Sequence, residues 1–405
     1  MRPAQDPELR EPGEMAQPPG DRVQAGALRH RPVVAVEDVA KRRRPAVAKR
    51  VGERVTGEAT RVSEHLRPGC VPSSSMAAPT PSVPRVCIVS PAAAAANNGN
   101  WHTAARWQRF LAPVATVSIR GPADDPGDAD LLIALHARRS ADVVRRWREL
   151  RPAAPLVLLL TGTDLYRDLD HDPRARHSLE CASRVVVLQE EGLARLDAAT
   201  RAKATVIVQS ASALRATRSP ADPEFVAVGH LRAEKDPETL MRAVRLLAGD
   251  ARAPTLAHIG AALDPRLGDA ARDTGAACPA YRWLGALSHA AARRAIARAR
   301  ALVHPSVMEG GANVVIEAVR SSVPVLASRI DGNVGLLGAD YDGFFPVGDA
   351  PALATLMRRF VADAAFAAQL AAQCARREPM FRPACEGRAV RRLVFDLLPA
   401  RLAGR

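Results

Sequence analysis

The stretch "RALVHPSVMEGGANVVIEAVRS", residues 300–321, contains the unit on which the fold prediction is based. It begins with a continuous apolar run of strand length (300–306), passes through a Gly-Gly loop and ends in a helical pattern (313–321). Another apolar run, "PVLASRI" (324–330), follows directly. Strand, helix and strand at this spacing indicate a βαβ unit of a parallel sheet, whose strands are continuously apolar because helices cover both faces.

The same pattern recurs along most of the chain and predicts two series of strands. The predicted strands are 85–91, 115–119, 129–136, 154–164, 183–189 and 204–210, then 224–231, 255–260, 281–287, 300–306 and 324–330. A polar, proline-bearing stretch (215–225) separates the two series. We therefore predict an α/β protein with two doubly wound, Rossmann-like domains, 84–215 and 220–385, facing a cleft, and a C-terminal helix over 386–405. Ligands in such folds bind at the carboxyl ends of the strands.

The charge of the chain does not indicate a nucleic-acid-binding protein. The formal net charge is +14, but only four of the 57 basic residues are lysines. Such a skew, in an alanine-rich chain, is typical of GC-rich coding rather than of a binding surface. Aromatic residues make up 4% of the chain, which disfavours base-stacking platforms. We expect no nucleic-acid partner, while attraction of anionic substrates is compatible with this charge.

Cysteine usage and hydropathy predict a cytoplasmic protein. The six cysteines are scattered without a CxxC pair, which argues against a zinc knuckle or a disulfide framework and fits a reducing compartment. No apolar run approaches the roughly 20 residues that span a bilayer. The first 22 residues lack the apolar stretch of a secretory signal. We therefore expect no stable membrane association.

Residues 1–83 differ from the rest of the chain. They are rich in Pro, Arg, Glu and Gly and poor in bulky apolar residues, so we predict a disordered extension. The basic run "KRRRPAVAKR" (41–50) allows a polybasic tail that binds nucleic acid or membrane. The favoured alternative is an upstream extension, with translation starting at Met76.

The Gly-Gly loop and the helix after it are the first candidate site. Gly310 and Gly311 let the backbone approach a ligand closely, and the helix that starts near Ala312–Asn313 favours a phosphate. Glu309 precedes this helix, and Glu317 lies one turn into it, where a carboxylate can accept the hydroxyls of a ribose. The alternative is an ordinary Gly-rich helix start, with Glu309 beside the dipole and Glu317 solvated.

A second cluster, His230, Arg232 and Lys235, directly follows the first strand of the second series. An arginine and a lysine three positions apart at the end of a strand can hold a diphosphate. The alternative is a solvated charge pair at a helix start capped by Asp236.

Polar loops also end the strands of the first domain. "HARRS" brings together His136, Arg138, Arg139 and Ser140, which suits a tetrahedral anion; the alternative is a solvated, arginine-rich helix start. "TGTD" offers Thr161, Gly162, Thr163 and Asp164, where Asp164 either orients a donor hydroxyl or caps the next helix. Asn98, Gly99 and Asn100 form either a loop facing the cleft or a plain tight turn. His102, His171 and His289 have no evident partner and are expected at the surface.

The two clusters of the second domain, Arg232-x2-Lys235 and Glu309-Gly-Gly with Glu317, resemble the donor domain of GT-B glycosyltransferases of family 4. The resemblance covers residues 220–350. It implies that the C-terminal domain binds a nucleotide-sugar donor and that the N-terminal domain binds the acceptor. It also implies activity without a metal or other cofactor. Arg232 and Lys235 would stabilise the departing diphosphate, and Glu309 would contact the transferred sugar. The implied donor-binding residues are His230, Gly310, Gly311, Ala312, Asn313, Val314 and Glu317.

A narrower resemblance covers nearly all of 84–383. Eight blocks occur in order: "GNWHTAARWQRFL", "LLIALHARRS", "LTGTDLYRDL", "SLECASRVVVLQ", "GHLRAEKDP", "RWLGAL", "MEGGANVVIEA" and "VPVLASRIDGNVGLLGADYDGFFPVGD". Together they resemble the selenosugar synthases of selenoneine biosynthesis. The resemblance implies transfer of the sugar of a UDP-sugar, such as UDP-N-acetylglucosamine, to selenophosphate. The implied acceptor-binding residues are Gly99, Asn100, His136, Arg138, Arg139, Ser140, Thr161, Gly162, Thr163 and Asp164. The 1–83 extension departs from the family pattern.

Two other functions stay open from the sequence. An ordinary family 4 glycosyltransferase would use a lipid or carbohydrate hydroxyl as acceptor and present an apolar or basic amphipathic face for membrane docking. A regulatory protein would bind the nucleotide-sugar without turning it over. The small polar loops of the first domain suit a small anion better than a lipid.

Overall fold

The structure is a computed structural model and describes residues 83–93 and 98–399. The predicted disordered extension lies outside the described residues, apart from Val83. Among the helices of this described part, none is long and apolar enough to cross a membrane.

The N-terminal domain is a six-stranded parallel sheet with helices on both faces, in the order β2-β1-β3-β4-β5-β6. Its strands are β1 (Arg85–Val89), β2 (Thr116–Arg120), β3 (Leu131–Leu135), β4 (Leu156–Leu159), β5 (Arg184–Val187) and β6 (Ala204–Val206). Its helices are α1 (Gly99–Leu111), α2 (Ala141–Leu150), α3 (Leu169–His171), α4 (Pro173–Cys181) and α5 (Ala198–Ala202). A π-helical turn covers Asp164–Asp168 and a 3-10 turn Glu190–Arg195.

The C-terminal domain contains a second parallel sheet of six strands, in the order β12-β11-β10-β7-β8-β9. Its strands are β7 (Phe225–Val228), β8 (Leu256–Ile259), β9 (Tyr281–Trp283), β10 (Ala301–His304), β11 (Val325–Ser328) and β12 (Phe344–Phe345). Its helices are α6 (Pro237–Leu247), α7 (Pro265–Ala277), α8 (His289–Arg298), α9 (Asn313–Arg320), α10 (Asp331–Leu337), α11 (Ala350–Ala362) and α12 (Ala364–Arg377). Short 3-10 turns cover Ala233–Lys235 and Glu378–Phe381.

The burial pattern explains why the strands are continuously apolar. In β1, Val86 and Ile88 pack in one core, while Cys87 and Val89 pack in a second core on the other face of the sheet. The central strands β3 and β4 are buried on both faces, as the apolar runs predicted, whereas the edge strands β2 and β6 stay partly exposed. The C-terminal domain has one large core of its own.

The last helix, α13 (Pro383–Leu397), returns to the N-terminal domain. Its apolar residues Val390, Leu393 and Val394 belong to the same core as Val86 and Ile88 of β1. The helix starts three residues earlier than the boundary expected at residue 386. The chain therefore crosses between the domains twice, once after β6 and once before α13, and a hydrogen bond from Ala211 N to Phe381 O (3.2 Å) joins the crossings.

The topology marks where a ligand site can form. Strand order reverses between β1 and β3 in the first sheet and between β7 and β10 in the second. At such a point the loops after neighbouring strands leave in opposite directions and open a crevice at the carboxyl ends. The loops after β7 and β10 are the segments that carry Lys235 and Glu309, so the predicted site lies at the second crevice.

Candidate active site

Loops from the two domains meet at the Gly-Gly pair. A Cβ added to Gly310 would lie 2.6 Å from the carbonyl carbon of Thr161, and one added to Gly162 would lie 2.8 Å from Gly310 N. Gly162 also has a φ of +138°, which side-chain-bearing residues rarely adopt. A Cβ on Gly311 would lie 2.8 Å from that of Leu188. These glycines thus allow the two domains to approach each other closely. The sequence analysis had explained Gly310 and Gly311 by close approach of a ligand and did not include this contact.

Glu309, Lys235 and His304 form the charged centre of the site. The Lys235 ammonium donates to Glu309 Oε1, and His304 Nε2 lies 3.4 Å from the same oxygen. The side chains of Lys235 and Glu309 are 21% and 12% exposed, and that of His304 is 2% exposed. The loops after β7 and β10 therefore place one cation and one carboxylate together in a largely dehydrated site.

Electrostatics keep this centre in one protonation state. Burial alone would raise the pKa of Glu309, but Lys235 and His304 together hold it well below its usual value. Burial lowers the pKa of His304, against the opposing effect of Glu309. Glu309 is therefore an anion and His304 a neutral ring at neutral pH.

Helix α9 starts where the sequence pattern predicted. Ala312 is its N-cap residue and, having no side-chain acceptor, leaves the first N–H groups of the helix uncapped. The start of α1 lies opposite: a Cβ on Gly99 would come 3.3 Å from Asn313 Nδ2. Asn98 caps α1, its side chain accepting from Asn100 N and Trp101 N. Two helix N-termini, one from each domain, thus converge on the crevice, where they favour an anion.

Glu317 is buried at 7% exposure, which excludes the solvated alternative. Its Oε1 lies 2.6 Å from His289 Nε2, and the His289 ring stacks on that of His102, with 4.2 Å between centroids. The expectation that His102 and His289 lack partners was therefore wrong, although the His289 side chain keeps 42% exposure. His171 is exposed, as expected. Burial and then His289 lower the pKa of His102 to about 4.

Of the other two residues of the second cluster, Arg232 lies near Glu234 and His230 bonds to the loop after β8. Arg232 Nε is 3.9 Å from Glu234 Oε2, and Arg167 of the first domain donates to Glu234 Oε1 at 3.1 Å. His230 Nδ1 accepts from Ala261 N at 3.1 Å, and burial lowers the pKa of this imidazole. Asp236 caps α6 through Thr239 N, the cap that the alternative interpretation of this cluster included. Arg232 thus reaches the crevice with its guanidinium only weakly engaged.

The "HARRS" loop makes more contacts within its own domain than the sequence analysis expected. The Ser140 hydroxyl is fully buried and donates to Leu135 O at 2.6 Å. Arg138 lies 3.2 Å from Asp168 and 3.9 Å from Asp172. Ser140 therefore holds the loop rather than offering a free donor, which departs from its predicted contact with an anion. Arg138 contacts carboxylates through Nε and keeps 40% exposure. Arg139 is exposed.

Asp164 organises both loops of the first domain. Its fully buried carboxylate accepts from the backbone N–H groups of Ala137, Thr161 and Gly162 at 2.8–3.0 Å. It is thus neither the predicted hydroxyl acceptor nor a helix cap, because its oxygens are already used. Asp164 holds "HARRS" against "TGTD".

His136 connects the same two loops at the end of β3. It has a φ of +70°, an unusual value for a residue with a side chain. Its Nδ1 faces the N–H of Arg139, which leaves Nε2 as the donor to Thr163 Oγ1 at 3.0 Å. Burial lowers the pKa of His136, so the ring is neutral.

Two functional-site histidines were missed by the sequence analysis. His304 ends β10 within the stretch that defines the site, and its position at a strand's carboxyl end was an available signal. His289 starts α8, far along the chain from Glu317, and no local pattern predicts this pairing.

Residues 222–363 match the family model described as glycosyl transferases group 1. This match covers most of the C-terminal domain, including the segments that carry Lys235 and Glu309. No curated protein matches the chain at a significant level of sequence similarity.

Solved structures show the same fold at low sequence identity. Sucrose-phosphate synthase from Thermosynechococcus elongatus is 17% identical, with a TM-score of 0.65 over 78% of this chain and 100% of that one. Anabaena HepE in complex with UDP-glucose is 14% identical, with a TM-score of 0.61 over 77% and 99%. The lipopolysaccharide outer core galactosyltransferase WaaB is 14% identical, with a TM-score of 0.57 over 78% and 100%. The chain thus has the GT-B fold of two Rossmann-like domains, as predicted.

Proposed function

We propose that this protein is a glycosyltransferase that transfers the sugar of a UDP-sugar, such as UDP-N-acetylglucosamine, to selenophosphate and releases UDP. The observation that carries the proposal is the buried Lys235–Glu309 pair beside the uncapped start of α9, at the strand-order reversal of the second sheet. Cation, helix N-terminus and carboxylate in one crevice match the needs of a nucleotide diphosphate-sugar.

The donor would bind along α9. Its diphosphate would lie at the N-terminus of the helix, held by backbone N–H groups near Ala312 and by the cations Lys235 and Arg232. Its ribose hydroxyls would donate to Glu317, whose orientation is fixed by His289. The UDP and UDP-glucose complexes of HepE, a protein of the same fold, support a nucleotide-sugar as the ligand class.

Binding of the diphosphate would change the partner of Lys235. In the structure its ammonium pairs with the Glu309 carboxylate. On donor binding it would turn to the phosphate oxygens, and Glu309 could then accept a hydrogen bond from a hydroxyl of the transferred sugar. His304 stays beside Glu309 and keeps this carboxylate from being wholly unpaired. The ion pair thus holds both side chains beside the proposed position of the diphosphate before the donor binds.

The reaction is a substitution at the anomeric carbon. A lone pair of selenium forms the carbon–selenium bond, while the bond from that carbon to the diphosphate oxygen breaks and its electrons leave with UDP. Charge grows on the departing diphosphate, and each preorganised donor aimed at such charge contributes about 3 kcal/mol. Lys235, Arg232 and the start of α9 are those donors. Contact between the 161–163 and 309–311 loops would exclude water, which otherwise hydrolyses the donor.

Selenophosphate as acceptor rests on the chain-wide resemblance and on the first domain. A charged selenium nucleophile needs little base catalysis, in agreement with the engaged ring nitrogens of His136 and the engaged carboxylate of Asp164 in that domain. The exposed Arg139, at the end of β3, is available for an anion. Thr161, Thr163, Gly99 and Asn100 remain the proposed polar contacts around it.

A panel assay separates the proposal from its alternatives. Purified protein is given UDP-N-acetylglucosamine, UDP-glucose or UDP-galactose with and without selenophosphate, and UDP and products are measured by mass spectrometry. The proposal predicts UDP release and a selenium-containing sugar only when selenophosphate is present. Release with a lipid or carbohydrate hydroxyl instead would indicate the ordinary family 4 enzyme. Tight binding without release would indicate a regulatory protein.

A further inference from the structure

We propose that Gln209 is a positioning residue that holds the 309–312 loop in its active arrangement, and that Glu386 of α13 orients Gln209 through Arg106. The inference deepens the proposed function, on which its kinetic part rests. Gln209 lies on the first crossing between the domains and Glu386 just after the second.

The Gln209 side chain forms a hydrogen bond to the Gly-Gly loop. Its side chain is 2% exposed. With the amide turned so that its oxygen faces Arg106 Nη2 (3.3 Å), its nitrogen donates to Gly311 O at 3.1 Å. This orientation is assigned from the hydrogen-bond network, because a guanidinium has only donors and would face the amide nitrogen in the other orientation. The amide oxygen also accepts from Thr103 Oγ1 at 2.6 Å. Gln209 thus links the 309–312 loop to α1 of the other domain.

Glu386 fixes the arginine that orients this amide. Its carboxylate is fully buried and accepts from Arg106 Nε at 2.7 Å, Trp107 Nε1 at 2.8 Å and Ser210 Oγ at 2.6 Å. Two of these bonds fix the carboxylate, and the third holds the guanidinium of Arg106, whose side chain is 11% exposed. The chain of contacts runs from α13 through Glu386, Arg106 and Gln209 to Gly311.

Gln209 acts on the loop that carries the proposed donor site. Its hydrogen-bond partner in the C-terminal domain is the carbonyl of Gly311. The adjacent Glu309 and Ala312 belong to the proposed donor site. Misplacing a catalytic loop by about 1 Å can cost a hundredfold in rate. The Gln209 contact therefore sets the position of the loop and not merely its stability.

The test compares Gln209→Met with Gln373→Met in the full chain. Gln373 is a matched control, because its amide is also buried but bonds to Asp340 and Asp342 in the C-terminal domain. For Gln209→Met we expect amide hydrogen exchange of the 309–313 segment to speed up at least tenfold, and kcat for UDP release to fall about ten- to a hundredfold with KM changed less than kcat. Gln373→Met leaves both unchanged.

A second variant covers the case in which Gln209→Met does not fold. Gln209→Glu keeps an acceptor for Arg106 and Thr103 but places an oxygen against Gly311 O, so the same exchange and rate changes are expected. Unchanged exchange over 309–313 in a folded Gln209 variant overturns the inference. If the wild-type protein releases no UDP, the proposed function fails, and the exchange measurement still decides the role of Gln209.

Discussion

Replacing Lys235 by methionine tests the charged centre directly. The substitution keeps most of the side-chain volume but removes the ammonium that pairs with Glu309. The carboxylate is then left in a largely dehydrated site with the neutral His304 as its neighbour. We expect loss of both stability and transfer activity.

The size and pH dependence of the stability loss follow from the burial of the pair. Leaving one partner of a buried ion pair uncompensated costs 3–5 kcal/mol. Because the two side chains retain 21% and 12% exposure, water screens part of this cost, and we expect about 3 kcal/mol at pH 8. In the wild type, the pKa of Glu309 lies well below its usual value, so the carboxylate stays ionised and its contribution is constant above pH 5.

In the Lys235→Met variant the pKa of Glu309 is expected to rise above its unfolded value, because burial is no longer opposed by a cation. Folding then favours the protonated carboxyl, so the stability difference from the wild type shrinks as pH falls from 8 to 5. Urea unfolding at pH 5, 6.5 and 8 measures this. Lys203→Met is the control, because Lys203 donates to carbonyls of Leu179, Glu180 and Ala182 and leaves no carboxylate unpaired.

A double variant completes the test. Lys235→Met with Glu309→Gln removes both charges and should recover most of the lost stability at pH 8 while staying inactive. A Lys235→Met protein that is as stable as the wild type at pH 8, or whose deficit does not change with pH, would refute the buried-pair reasoning.

Three further predictions follow from single contacts. Glu317→Ala should weaken UDP binding about tenfold by calorimetry, because two ribose hydroxyls lose their acceptor; unchanged affinity would exclude the ribose role. Because the pKa of His102 is lowered to about 4, the wild type should lose stability as pH falls from 6.5 towards 4, and His102→Ala should reduce this loss while exposed His171→Ala should not. Gly310→Ala should cost about 2 kcal/mol in urea unfolding and most of the activity, since the new Cβ meets backbone at 2.6 Å, whereas Gly249→Ala, with open space around it, should be neutral.

The apolar runs were sufficient to predict most of the two sheets. Continuous strands such as β3 and β10 are buried on both faces, so their composition depends little on distant contacts. The two-residue β12 and the helices between 331 and 385 were not predicted, and β12 is too short to show a period. Nor does any local pattern of α13 indicate that it packs on the first domain, because its apolar stripe fits either core.

The candidate site was predicted in position but not in its internal contacts. Loops after strands of a parallel sheet meet at one edge, so Lys235 and Glu309 could be placed together from topology alone. The pairing of Glu317 with His289, and the burial of Asp164 and Ser140, depend on packing between elements distant in the chain. These contacts decide which polar groups stay available to a ligand, and a spacing pattern does not contain them.

A crystal structure of the protein soaked or grown with UDP-N-acetylglucosamine tests the central claim most directly. The account predicts the diphosphate within hydrogen-bond distance of the Lys235 ammonium and the backbone N–H groups of 310–312, with the ribose hydroxyls on Glu317. A nucleotide bound away from α9, with the Lys235–Glu309 pair undisturbed, would contradict it.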